Sequence, residues 1–163
     1  FSSKSNFEEI DKCMNRVKEF ARDKLPLKEF MVFETALQEI VLNALEHGNI
    51  GINSDDKNRL LYAREYESYL KKRMNEDDIY DKKIGFEVFF SEHEDESIIG
   101  VAVSDEGSGF DVCKTIKEIT VQNGIHLGGR GLKVSELYTN GIYFNRIGNE
   151  AVLFLTTKEE DEY

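Results

Sequence analysis

The sequence has few of the residues that mark disulfide-bonded or metal-binding proteins. It contains two cysteines, three histidines, one proline and no tryptophan in 163 residues. Cys13 and Cys113 belong to no CxxC pair or Cys/His cluster, which argues against a disulfide framework and a structural zinc site. We therefore expect two free thiols in a reducing cytoplasm. His47, His93 and His126 are too few and too scattered for a metal site built on imidazole.

Long apolar runs and a balance of charge are also missing. No run of about 18 apolar residues occurs, so we expect no membrane-spanning helix, and no signal peptide opens the chain. The chain has 32 Asp and Glu residues against 21 Lys and Arg, a net charge of −11. Such a surface repels phosphate backbones, which argues against nucleic-acid binding. Because the chain begins at Phe1 rather than Met, we expect a piece of a longer protein or a processed form.

Apolar residues make up 40% of the chain, enough for the core of one domain, which we assign to residues 1–163. Their spacing predicts helices over 7–25 and 28–47, the second ended by Gly48. It changes to a period of two over 84–90 and 97–104, and again in a closing hairpin over 141–147 and 151–157. A short helix is predicted at 132–138. Helices segregated from antiparallel strands predict an α+β fold, a two-layer sandwich.

Residues 53–83 interrupt this pattern with charged residues and tyrosines. We interpret them as a charged helical insertion, with one helix from about Asp55 to Met74 that packs on one side only. A solvated helix is one explanation for its composition. The alternative is an aromatic surface for a partner, formed by Tyr62, Tyr66 and Tyr69.

Glu39, Asn43 and His47 are spaced by four on the second predicted helix, which places them on one face. The asparagine oxygen is a neutral ligand suited to Mg²⁺, and the glutamate can accept a proton or orient a nucleophile. The alternative is an ordinary helix whose exposed face is polar.

Two glycine-rich segments follow. Ser104–Asp111 reads SDEGSGFD at the end of a predicted strand, where Asp105 could accept a hydrogen bond from an exocyclic amine such as that of adenine. Gly128–Leu132 reads GGRGL at the start of a predicted helix, where backbone N–H groups and Arg130 could bind phosphate. Neither segment fits a Walker A or GxGxxG pattern, and each alone is compatible with an ordinary turn or helix start.

Together and in this order, the three motifs are more specific than any one of them. ALQEIVLNALEHGN at 36–49 resembles the N-box, and SDEGSGFD resembles the DxGxGF box of the gyrase, histidine kinase and MutL ATPase superfamily, the Bergerat fold. GGRGL, followed by the hairpin GNEAVLFL, resembles its last glycine box. The ExxxNAxxHG form and a short lid most resemble the bacterial anti-sigma-factor serine/threonine kinases. The resemblance covers about 28–157, interrupted by the insertion.

This resemblance implies a mixed, mainly antiparallel sheet with helices on one face, and it implies ATP and Mg²⁺ as ligands. Glu39 would be the catalytic carboxylate that activates the attacking hydroxyl or water, and Asn43 would coordinate Mg²⁺. His47 would have a supporting role, and residues 111–128 would form the ATP lid. The remaining nucleotide contacts would come from Asp105 at the adenine amino group, Gly107 and Gly109 around it, and Gly129, Arg130 and Gly131 at the phosphates.

The sequence departs from the family at two points. Many relatives have a threonine near the adenine in the closing hairpin, where this chain has Glu150 and Ala151. An Asp-Glu pair often follows the last glycine box, where this chain has Thr139 and Asn140. Neither change removes an expected phosphate or metal contact.

Three functions follow from the resemblance. The first is transfer of the ATP γ-phosphate to a Ser or Thr of a regulatory protein in bacterial signalling. That protein would be similar to an anti-anti-sigma or sigma factor, or would be a domain of the same longer polypeptide. The second is a nucleotide-gated, anti-sigma-like binding module without turnover. The third is the ATP-binding domain of a larger histidine kinase, whose phosphoacceptor lies outside this chain because the 7–25 helix has no histidine. A homodimer is compatible with each.

Overall fold

The computed structural model of the chain describes residues 1–93, 96–114 and 140–158. In chain order its elements are β1 (Ser2–Lys4), α1 (Phe7–Arg22), α2 (Leu27–Asn43), a π-helical turn (Ala44–Asn49), α3 (Ser54–Ala63), α4 (Tyr66–Arg73), α5 (Asp77–Tyr80), β2 (Lys83–His93), β3 (Glu96–Asp105), β4 (Gly141–Phe144) and β5 (Glu150–Lys158). Apart from β1, the described helices precede the antiparallel strands in the chain, and this combination confirms the predicted α+β fold.

The five strands form one sheet in the order β1-β2-β3-β5-β4. The resemblance implied a mixed sheet, whereas every neighbouring pair among the described strands is antiparallel. β3 lies in the centre, and its last residue, Asp105, stands opposite Ile84 near the start of β2. This register places Asp105 at the end of the sheet where the chain enters from the helical insertion.

The core lies between the sheet and the helices. On β3 the buried residues alternate, at Ile99, Val101 and Val103, and they belong to one apolar cluster with residues of α1 and α2 such as Val17 and Phe33. Each large apolar side chain buried in this way contributes about 1.5–3 kcal/mol. On the opposite face of the sheet the apolar side chains are more exposed: Phe89 43%, Ile98 39% and Tyr143 59%.

The two long helices begin and end close to the predicted positions. Asn6 caps α1 by accepting a hydrogen bond from the backbone N–H of Glu9 at 2.9 Å. α2 begins directly after Pro26, whose fixed φ suits a helix start. Among the described helices, none combines the length and the apolar composition needed to cross a bilayer.

The prediction of one helix from Asp55 to Met74 is wrong. α3 ends at Ala63, and Arg64 adopts a left-handed conformation with φ of 60°, after which α4 begins. The insertion is also more than a solvated surface, because its residues Leu70, Met74 and Ile79 are buried in the core.

Two further differences concern strands and ranges. β1, which the sequence analysis did not predict, pairs with the first residues of β2. The strand predicted over 141–147 ends at Phe144, because Asn145 starts a turn in which its side-chain oxygen accepts the N–H of Gly148 at 2.7 Å. The helix predicted at 132–138 lies outside the described residues, as does most of the predicted lid at 111–128.

Candidate functional site

The long helix changes its geometry where the N-box-like motif ends. From Ala44 to Asn49 it is π-helical, and the N–H of Ile50 bonds to the carbonyl of Leu45 at 2.9 Å. π turns inside helices are frequent at functional sites. Because the turn is wider than an α-helical one, His47 does not continue the stripe predicted for it. It is exposed, and its Nδ1 donates to the carbonyl of Ile52 at 2.5 Å.

Two motifs far apart in the sequence meet at Asp105. The N–H of Gly107 donates to Oδ1 of Asp105 at 2.8 Å. A Cβ atom on Gly48 would lie 2.3 Å from Cγ of Asp105, and one on Gly107 would lie 2.3 Å from the carbonyl oxygen of Gly48. Only glycine fits at both positions. The end of the π turn and the segment after β3 therefore form one wall around the Asp105 carboxylate.

Asp105 is a half-buried carboxylate that has a hydrogen bond from the described residues at one oxygen only. Burial raises the pKa of Asp105, while the N–H of Gly107 and the charge of Lys82 act to lower it. Its Oδ1 accepts the Gly107 N–H, and Oδ2 has no hydrogen bond from the described residues. A carboxylate oxygen in this state can accept a hydrogen bond from a ligand.

Asn49 holds the segments around this wall together. Its side chain is buried; Oδ1 accepts the N–H of Glu106 at 2.8 Å. Its Nδ2 donates to the hydroxyl of Ser5 at 2.7 Å and to the carbonyl of Lys83 at 3.0 Å. Lys82 Nζ in turn donates to the Asn49 carbonyl at 2.8 Å. One amide thus ties the π turn to β1, β2 and the segment after β3.

The glycine-rich segment also packs against the turn that joins β4 and β5. Gly109 has φ of 72°, and a Cβ there would lie 2.1 Å from the carbonyl oxygen of Ile147. The N–H of Asp105 bonds to the carbonyl of Asn149 at 2.9 Å, and Nδ2 of Asn149 donates to the carbonyl of Asp105 at 3.3 Å. Asn149 belongs to the hairpin GNEAVLFL quoted in the sequence analysis, but sequence reasoning assigned it no contact with Asp105. It fixes the backbone position of Asp105.

Glu46 is a second residue that sequence reasoning missed. Its side chain is fully buried, it forms an ion pair with Lys57 of α3, and it accepts the hydroxyl hydrogen of Tyr66 of α4. Burial raises the pKa of Glu46, and Lys57 opposes this effect. In a continuous α-helix Glu46 would follow Leu42, which is 37% exposed, on the solvent side. No sequence signal marks the π turn that brings it inside.

The predicted catalytic and metal-binding side chains lie on α2. Glu39 and Asn43 are both half-buried, one helical turn apart. The charge of Glu39 contributes to the raised pKa of Glu46, so these two carboxylates lie near each other. The side chains of Glu39 and Asn43 make no hydrogen bond with the described part of the chain.

Some predictions are not addressed by the described residues. Gly129, Arg130 and Gly131 lie outside them. Within the described ranges, no three His, Cys, Asp or Glu side chains are grouped to hold a metal ion. An open cleft of about 190 Å³ lies between the start of α1 and the insertion, lined by Asn6, Met74 and others but not by Asp105. It is separate from the wall described above.

The comparisons with known proteins add no relative to this picture. No family model matches the chain, and no curated protein is similar to it.

Proposed function

We propose that this chain binds Mg²⁺–ATP as a Bergerat-type domain and transfers the γ-phosphoryl group to a Ser or Thr of a partner protein. The observation that supports this most is the close packing of Gly48 and Gly107 around Asp105. It brings together two segments that are far apart in the sequence. Each was recognised from its sequence alone, one by its resemblance to the N-box and the other by its resemblance to the DxGxGF box.

The Asp105 carboxylate suits an adenine ring. Its Oδ2 is available to accept the exocyclic amino group, while Gly107 holds Oδ1 in place. Glycine at positions 48 and 107 leaves no Cβ above the carboxylate, so a flat ring can approach the backbone closely. The half-buried setting strengthens such a hydrogen bond because water competes less for the carboxylate.

The order of residues along α2 suits a nucleotide that extends away from Asp105. Asn43 is the last residue of α2 before the π turn that contains Gly48, and Glu39 lies about 6 Å further back along the helix at 1.5 Å per residue. A triphosphate running beside this helix meets Asn43 first and Glu39 after it. Asn43 would supply an amide oxygen to Mg²⁺.

ATP would supply the phosphoryl group, with ADP as its leaving group and the acceptor hydroxyl as its nucleophile. Glu39 would take the proton of that hydroxyl as the new phosphorus–oxygen bond forms. Its carboxylate has no partner in the described part of the chain that would compete for this role. The expected phosphate contacts of Gly129, Arg130 and Gly131 rest on the resemblance alone.

An anionic ligand on a chain of net charge −11 requires local compensation. Lys82 lies near Asp105, and Mg²⁺ would accompany the phosphates. Such contacts at about 3 Å outweigh a net charge that is screened over about 8 Å at physiological salt.

The experiment is a transfer assay with labelled ATP, Mg²⁺ and candidate partner proteins. We expect Glu39→Gln to abolish transfer while Mg²⁺–ATP affinity changes little, because the glutamine keeps the shape but accepts no proton. Glu29→Gln, a half-buried glutamate in the first turn of the same helix, is the matched control and should transfer normally. Transfer that persists in Glu39→Gln contradicts the assigned role.

A nucleotide-gated binding module without turnover is the second candidate. It is favoured by exposed apolar side chains along α2, where Leu27 is 76% and Met31 60% exposed. Leu42, 37% exposed, lies on the same helix close to Glu39, and exposed apolar side chains of this kind are suited to contact with a protein. Partner binding that depends on ATP but yields no phosphorylated product would favour this function over the first.

A further inference from the structure

The cluster of the buried Glu46 with the half-buried Lys57 and Tyr66, here called the Glu46 clamp, joins the insertion to the π turn. We propose that Glu46 is a positioning residue, and that the clamp lets the insertion set how the Gly48–Asp105 wall fits a nucleotide. This inference rests on the proposed function.

The clamp uses both oxygens of one carboxylate and two separate helices. Oε2 pairs with Lys57 of α3, and Oε1 accepts from Tyr66 of α4. Lys57 also lies over the Tyr66 ring, with Nζ 5.6 Å from its centre. Removing one partner leaves a buried charge without compensation, which is far more disruptive than losing an exposed ion pair.

The clamp is directly continuous with the wall. Glu46 and Gly48 belong to the same π turn, and the Glu46 carbonyl accepts the N–H of Ile52 at 2.9 Å. Gly48 packs against Asp105 and Gly107 with no room for a methyl group. Because these contacts are closely packed, a shift of Glu46 also displaces Gly48 relative to Asp105 and Gly107.

Anchoring of the insertion has contributions other than the clamp. Leu70, Met74 and Ile79 bury α4 and the segment after it in the core, and the half-buried Leu60 of α3 packs against that core. Apolar side chains of similar size often replace a buried ion pair without loss of stability. A buried carboxylate with a half-buried lysine and tyrosine thus suits the placement of the turn in addition to the attachment of α3.

The test compares Tyr66→Phe and Lys57→Met with Tyr69→Phe. Tyr69 lies on the same helix and also packs against the core, so it controls for loss of a hydroxyl. We expect Tyr66→Phe and Lys57→Met to speed amide exchange at Ile50 and Ile52 and to weaken Mg²⁺–ATP binding by about 5- to 10-fold. Tyr69→Phe should change neither quantity. Thermal unfolding curves identify a temperature at which every variant is folded, and amide exchange and Mg²⁺–ATP binding are measured at that temperature.

A double variant separates positioning from general damage. Lys57→Met with Glu46→Gln removes both charges, and its affinity should return to within about twofold of the parent. The proposal is overturned if the parent and the single variants bind Mg²⁺–ATP equally well. It is also overturned if Tyr69→Phe loses as much affinity as Tyr66→Phe, or if the double variant binds no better than Lys57→Met. A parent chain that binds no Mg²⁺–ATP overturns the proposed function instead, and with it the clamp's role in binding.

Discussion

Two carboxylates, the buried Glu46 within the π turn and the half-buried Asp105 packed against its end, have different partners. Burial raises the pKa of both Glu46 and Asp105. Glu46 has both oxygens engaged by side chains of the insertion, whereas Asp105 has one oxygen engaged by the N–H of Gly107. The first carboxylate is thus fully used within the fold, and the second keeps an acceptor for a ligand. The direction of the pKa shift does not distinguish them; the number of oxygens with a hydrogen bond or ion pair from the described residues does.

The largest effect is expected at Gly48, which links the two carboxylates. Gly48→Ala places a methyl carbon against Cγ of Asp105. We expect Mg²⁺–ATP affinity to fall by more than about 100-fold and the free energy of unfolding to fall by about 1–3 kcal/mol. Nucleotide titration and denaturant unfolding measure both.

Gly85→Ala is the control for that change, because the atom nearest to its new methyl group is the rotatable hydroxyl of Ser104. It should bind nucleotide like the parent. A Gly48→Ala protein with parental affinity would mean that the wall is not the adenine site.

The next effect concerns the free oxygen of Asp105. In Asp105→Asn, Oδ1 would still accept the Gly107 N–H, which leaves an NH₂ group where the adenine amino group needs an acceptor. We expect affinity to fall by about 10- to 100-fold, the range for a hydrogen bond to a charged group. The free energy of unfolding should be equal or higher, because a half-buried charge has been removed. If calorimetry shows the same Mg²⁺–ATP affinity for Asp105→Asn and the parent, Oδ2 of Asp105 is not an acceptor for the ligand and the difference from Glu46 has no functional meaning.

The pH dependence of stability should report on Glu46. Its pKa in the folded protein lies above the ordinary 4.5, so the folded state holds this proton more tightly than the unfolded chain does. Its contribution is therefore largest below pH 4.5 and is lost as pH rises through the raised pKa. Glu46→Gln should flatten the fall in unfolding free energy across that window.

Glu9 provides a control of opposite sign. A hydrogen bond from the backbone N–H of Lys4 lowers the pKa of Glu9. Glu9→Gln should therefore remove stability that is present above the ordinary pKa and lost as pH falls. Identical pH profiles for both variants would contradict the assigned environments.

The smallest effect is expected at Arg64, in the junction between α3 and α4. Arg64 has φ of 60°, a conformation that glycine adopts without steric penalty. Arg64→Gly should raise the free energy of unfolding by about 0.5–1 kcal/mol. Nucleotide affinity should stay at the parental value. A change in affinity would show that the site is sensitive to the junction between the two helices that carry Lys57 and Tyr66.

Sequence reasoning reached the elements whose side-chain spacing repeats over several turns or strand residues. α1 and β3 are of this kind, since their buried residues recur at regular intervals. It did not reach β1, three residues long, whose pairing with β2 depends on chain more than 70 residues away. Nor did it reach the break at Arg64, because no glycine, asparagine or proline marks the junction.

The candidate site divides in the same way. Asp105 and Gly107 could be predicted because a short motif contains both the carboxylate and the glycine that contacts it. The burial of Glu46 could not, because it depends on a change of helix type that moves one residue from the solvent side to the inside. Asn149 could not be predicted either, since its contact with Asp105 joins positions 44 residues apart.

The hydrogen bonds between Asn49 and residues 82 and 83 have a consequence for how this architecture can vary. The chain departs for the insertion and comes back at the same place. The two ends of residues 50–82 therefore lie together, so the length of this segment can change without shifting the strand register. Doubling the length of a closed segment adds only about 0.6 kcal/mol of entropic penalty. An added reporter or foreign module in an exposed turn of this segment is accordingly expected to disturb the sheet least, as long as its core residues Leu70, Met74 and Ile79 are kept.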